Sequence, residues 1–131
     1  MNKIVEELKK TGVFYLATID GDQARVRPVS AVADINGKLY LCTNNQKDMF
    51  KQMIANPKVE LSGMGKDGTW LRVSGTAVLD ASDESRKAML DAEPSLGNMY
   101  HLGDGIFEVL YLDNAKCVKY SFTAAPEVIE G

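Results

Sequence analysis

Between Gln23 and Asn56 the chain fixes most of what it can become. The segment reads as a long strand over Gln23–Ile35, an Asn36-Gly37 turn, a strand over Lys38–Thr43 and a short helix ended by Asn56-Pro57. Pro28 lies inside the long strand. Proline cannot donate to a ladder, so an edge, bulge or bend is expected there, either as a plain barrel corner or as backbone left free for a ligand. Arg25 and Arg27 sit early in that strand, Thr43 ends the next, and Lys47 stands in the first turn of the helix. A cation in a first turn opposes the helix dipole unless an anion binds there. Guanidinium, hydroxyl, ammonium and free helix N–H groups together suit an anion. Asn45 is the expected cap of this helix, with Phe50, Met53 and Ile54 as its inner face.

The rest of the chain repeats the pattern. Ile4, Val5 and Leu8 recur at helical spacing over residues 2–11, and Gly12 stops the helix. Val13–Ile19 is a β-rich apolar run ending at the hairpin signal Asp20-Gly21-Asp22. Lys58–Met64 is a strand, and Thr69–Asp80 alternates cleanly. Leu71, Val73, Ala77 and Leu79 take one face of it, and Trp70, Arg72, Ser74 and Thr76 the other. A tryptophan beside an arginine on an outward face marks an interface, a ligand platform or a cover for its own barrel. Ser82 caps a helix to about Asp91, stopped by Pro94. Residues 95–105 form a glycine-rich loop holding the sole histidine, His101, either solvated or part of a lid. Ile106–Leu112 and Ala115–Phe122 are read as two strands joined at Asp113-Asn114, and the tail from Thr123 has no pattern. Seven short β-runs with three helices at their connections make a mainly β, antiparallel barrel.

The bulk numbers narrow the function. The 131 residues suit one domain, and the net charge of −3 disfavours general nucleic-acid binding. No apolar run reaches the roughly 18 residues a membrane span needs. The charged N-terminus has no apolar leader core, and Cys42 and Cys117 lie in apolar runs as free thiols, so a reducing cytoplasmic setting is expected. A chain this short has little room to enclose a cofactor by itself, which favours a site shared between subunits. No nucleophile elbow, Walker loop, Rossmann glycine pattern or metal-ligand spacing is present. Any enzymatic chemistry therefore rests on a bound cofactor.

Four segments in order, FYLATIDGDQARVRPV (14–29), LYLCTNNQKDMFKQMIANPKVEL (39–61), WLRVSGTAVL (70–79) and GIFEVLYLDNAKCVKYSF (105–122), resemble the pyridoxamine 5′-phosphate oxidase-like FMN-binding split barrels. The similarity is greatest to the small single-domain branch of general-stress and nitroimidazole-resistance-like proteins. The resemblance implies a split β-barrel of six or seven strands and a homodimer with two FMN sites at its interface. It implies that Arg25, Arg27, Pro28 and Val29 lie along the flavin and that Thr43 and Lys47 hold its phosphate. The part around Trp70 and Arg72 would come from the second subunit. The implied activity is electron transfer from a reduced nicotinamide through FMN to a small organic acceptor. A flavin-binding sensor without turnover, or the same barrel carrying a deazaflavin or haem, are the alternatives. Gln46-Lys47 replaces the Arg-Lys pair of the pyridoxal-phosphate-forming oxidases, and no arginine follows Arg86, so their substrate-phosphate arginines do not carry over. Nor does His101 match the histidine of the nitroimidazole-reductase branch.

Overall fold

The computed structural model describes residues 2–131. Helix α1 (Lys3–Thr11) is followed by β1 (Phe14–Asp20), β2 (Gln23–Val29), β3 (Ala33–Ile35) and β4 (Lys38–Asn44). Helix α2 (Asp48–Ala55), β5 (Lys58–Met64) and β6 (Trp70–Asp80) come next. Helix α3 (Asp83–Ala92), a 3₁₀ turn (Pro94–Asn98), β7 (Phe107–Tyr120) and β8 (Glu127–Ile129) complete the chain. All pairings are antiparallel, in the order β2-β1-β5-β6-β7-β4-β3, with β8 added to β7. This is the expected antiparallel split barrel, with eight strands.

The extended run expected over Gln23–Ile35 divides into two strands. β2 stops at Val29, directly after Pro28, and β3 begins at Ala33. These two strands end the ladder on opposite sides, so the break is where the sheet opens. The turn at Asn36-Gly37 has φ of 54° and 80°, the left-handed pair that a tight hairpin requires.

The hairpin expected at Asp113-Asn114 is absent. β7 runs straight through it for 14 residues and pairs β6 on both sides. Asn114, at φ 53°, and Ala115 together oppose Gly75, which makes a bulge rather than a turn. Gly75 is needed there, because a Cβ would stand 3.1 Å from the Asp113 carbonyl oxygen and 3.2 Å from the Leu112 Cβ. The tail adds β8, a short strand with no signal of its own in the sequence.

Two cores result. Ile4, Val5, Leu8, Phe14, Leu16, Leu41, Leu61 and Val73 fill the barrel, with α1 closing one end. Tyr40, Met89, Leu96, Tyr100, Phe107 and Val109 form a second cluster beneath α3 and the 3₁₀ turn. Leu71, Val73 and Ala77 point inward as expected, but Leu79 is 39% exposed. β5 pairs β6 only as far as Thr76, so Leu79 lies beyond the strand that would have covered it. The cap of α2 differs too. Lys47 is the N-cap residue and supplies no side-chain hydrogen bond. Asn45 Nδ2 is drawn instead to the Gly105 carbonyl at 2.9 Å. The inner face of the helix is formed by Met49 and Met53, which are buried, with Phe50 partly covered and Ile54 exposed.

Candidate functional site

The opening in the sheet has a chemical character of its own. β3 pairs β4 only through Tyr40, whereas β7 accompanies β4 to Asn44. Leu41–Asn44 therefore have a strand on one side only, and an open edge of this kind leaves backbone groups unpaired. Facing it lies the broken end of β2. Between them is a cleft of about 320 Å³ lined by Arg27, Pro28, Val29, Ser30 and Ala31 on one side. Cys42, Thr43, Lys47, Asp48 and Met49 line the other, and Leu96, Met99 and Tyr100 close the end.

Thr43 is 4% exposed, and its Oγ1 has no hydrogen-bond partner among the described residues. A buried hydroxyl without a partner costs roughly 1–3 kcal/mol. It stands beside the start of α2, an eight-residue helix whose first turn receives no side-chain cap. The positive end of the dipole, free amides and the Lys47 ammonium, unpaired among the described residues, thus meet at one place. Asp48, exposed at the first helical position, is the one carboxylate in the lining.

Arg27 is held firmly. It donates to the Leu16 carbonyl at 3.0 Å, to Thr18 Oγ1 at 2.8 Å and to Gln52 Oε1 at 2.8 Å. None of these acceptors carries charge, and burial lowers the pKa of the guanidinium. Its positive charge is thus uncompensated at the cleft. Arg25 is elsewhere, exposed and paired with Asp20 at 3.2 Å. Cys42 is a lining residue that its apolar sequence context concealed. Burial pushes its thiol up to about 12, so it is neutral and unreactive at physiological pH.

Arg27, Pro28, Val29, Thr43 and Lys47 therefore come together within one chain, and Arg25, Trp70 and Arg72 do not join them. Trp70 stacks on Tyr120, with centroids 5.8 Å apart, and packs on Phe122 at 4.9 Å. Arg72 pairs with Glu60 at 3.1 Å. His101 is exposed outside the cleft, with its Nδ1 2.9 Å from the Leu102 carbonyl oxygen. A hollow of about 350 Å³ at the foot of α1 is also cationic, but two of its lysines, Lys10 and Lys119, already face Glu7 at 3.6 and 3.8 Å. It lacks the buried hydroxyl without a partner that distinguishes the first cleft among the described residues.

An antiparallel barrel opened along one seam, with a cleft at that seam, defines a split barrel. The chain belongs to the pyridoxamine 5′-phosphate oxidase family, whose model matches residues 1–106. It is 50% identical to a NimC/NimA family protein of Clostridium acetobutylicum, with a TM-score of 0.96 over 100% of this chain and 92% of that one. More distant structures share the fold alone. General Stress Protein 26 of Bacillus anthracis is 17% identical, with a TM-score of 0.73 over 99% of this chain and 98% of its own. A haem-binding protein of Mycobacterium smegmatis is 18% identical, with a TM-score of 0.73 over 96% of this chain and 57% of that one. No curated protein sequence matches the chain.

Proposed function

We propose that this chain binds FMN in the seam cleft and serves as an oxidoreductase toward a small organic acceptor. The observation that carries the reading is the Thr43 hydroxyl, buried and without a partner beside the uncapped start of α2 and Lys47. That set fits a phosphate: one hydroxyl donor, helix amides and two cations with no carboxylate partner. Thr43 and Lys47 would bind the phosphate, while Arg27, fixed by Leu16, Thr18 and Gln52, adds field rather than a mobile contact. Pro28, Val29 and the open edge of β4 offer a flat, partly apolar flank for a ring system. The chemistry that FMN supplies when bound is acceptance of a hydride from a reduced nicotinamide and its return, with a proton, to the acceptor. A haem on the same barrel is less well served, since His101 stands outside the cleft.

The working unit in this reading is a homodimer. The register places Tyr15, Val26, Met64 and Trp70 on the outer face of β2-β1-β5-β6, where Tyr15 is 52%, Val26 67% and Met64 58% exposed. Phe122 covers Trp70 and is itself 85% exposed. Neighbouring exposed aromatic and aliphatic side chains of this kind suit an interface. Pro28 lies on the same face, opposite Tyr15, so a second copy docked here reaches the rim of the cleft and can bring Trp70 and Arg72 to it.

The test is absorbance of the purified protein before and after FMN is added and the excess removed, followed by titration of wild type and Lys47→Ala. Retained flavin bands, with weaker binding in the variant, are expected. A protein that ignores FMN sinks the flavin reading, and equal affinity in the variant removes Lys47 from the site.

A further inference from the structure

Tyr100 lines the far end of the cleft, and its hydroxyl proton is directed by a chain of hydrogen bonds. The backbone N–H of Gln46 can only donate, and it meets Asn44 Oδ1 at 3.0 Å. This fixes the Asn44 amide, so Nδ2 faces Tyr100 and donates to its Oη at 2.9 Å. Tyr100 Oη is thus an acceptor on that side, and its own proton must turn elsewhere. No acceptor for it exists among the described residues. The side chain is held in place as well. Tyr100 is 7% exposed, its ring packs on Phe107 with centroids 5.0 Å apart, and its backbone N–H donates to the Leu96 carbonyl at 2.9 Å.

We infer that Tyr100 is a ligand-contacting residue, its hydroxyl donating a hydrogen bond to an oxygen or nitrogen acceptor of the molecule bound in the seam cleft. The inference rests on the flavin reading above for the identity of that molecule. It gives the 95–105 segment a role independent of His101. The wall built by Leu96, Met99 and Tyr100 is otherwise apolar, so this donor is the polar element with which that wall can orient a ligand.

The experiment compares wild type with Tyr100→Phe, which keeps the ring and its packing on Phe107. FMN and riboflavin are titrated at 25 °C by fluorescence quenching, and the unliganded proteins are melted in parallel. Loss of one neutral hydrogen bond weakens FMN about three- to tenfold. An equal loss for riboflavin places the bond on the ring or ribityl chain, and a loss confined to FMN places it on the phosphate. Either pattern supports the contact. A variant that melts lower when unliganded yet binds FMN with wild-type affinity shows a purely structural tyrosine and overturns the inference while sparing the flavin reading. Wild type that takes up no FMN overturns both.

Discussion

Replacing Thr43 with valine should move stability and binding in opposite directions. The substitution is nearly isosteric, and it removes a hydroxyl that is buried and unsatisfied in the free protein. Deleting such a group relieves roughly 1–3 kcal/mol of desolvation cost. Discounting for local relaxation, about 1 kcal/mol of added stability is expected. For a domain of this size that raises the unliganded Tm by roughly 3–5 °C. In the complex the same hydroxyl donates to a phosphate, and a hydrogen bond to a charged group contributes about 1.5–3 kcal/mol. FMN should therefore bind about 10- to 150-fold more weakly to Thr43→Val. Calorimetric melting of the unliganded protein and an FMN titration read the two effects separately. A variant that melts lower and binds FMN normally would refute the reasoning, because Thr43 would then be an ordinary packing residue.

Other expectations follow from individual contacts. Burial opposes the charge of Asp80, but hydrogen bonds from Ser85, Tyr40 and Ser82 outweigh it and hold the carboxyl well below its usual range. A depressed carboxylate contributes stability that is complete above about pH 4 and is lost as pH falls through the folded-state value. Asp80→Asn should cost about 1–3 kcal/mol at pH 7 and flatten the acid limb of a urea-midpoint-against-pH curve; an unchanged limb would count against this network. Gly63→Ala should destabilise by about 1–3 kcal/mol in urea titration, since its Cβ would lie 2.8 Å from Thr11 Oγ1 and 3.0 Å from the Phe14 Cβ. Cys117, buried in the barrel, has its thiol pushed up to about 11, and Cys42 is higher still. Cys117 should react with a thiol reagent at pH 7.5 only on the timescale of unfolding, while Cys42, which lines the cleft, should react slowly because its thiol stays protonated; rapid labelling of Cys117 in the native protein would contradict its burial. Phe122→Asp should shift sedimentation from dimer toward monomer and weaken FMN with it, while leaving far-UV dichroism intact. Retention of the dimer would move the interface elsewhere.

The strands, helices and tight turns were legible because they rest on local chemistry. Alternation in Trp70–Asp80, the Asn36-Gly37 pair and the Ser82 cap each act within a few residues, and each took the expected form except at Leu79. That Arg27, Thr43 and Lys47 would gather at one place was suggested for the same reason, since a lysine at a helix start is an anomaly along the chain itself. What the sequence could not decide depended on partners far away in it. Asp113-Asn114 reads as a hairpin until Gly75, on another strand, makes room for a bulge. Asn45 reads as a cap until the fold, with the helix cap two residues later, draws its Nδ2 to the Gly105 carbonyl and leaves its Oδ1 accepting from Gln46. Arg25 and Arg27 read alike, but the packing of α2 against β1 gives Arg27 the Gln52 Oε1, while Arg25 pairs with Asp20 across its own hairpin. Tyr100 carried no signal beside His101, because its direction depends on Asn44, a residue 56 positions earlier. Local propensity and pattern determined most of the elements and suggested the anion-binding residues on which the proposed function rests. The tertiary structure alone decided which polar atoms were left without a partner, and the proposed site is argued from those atoms.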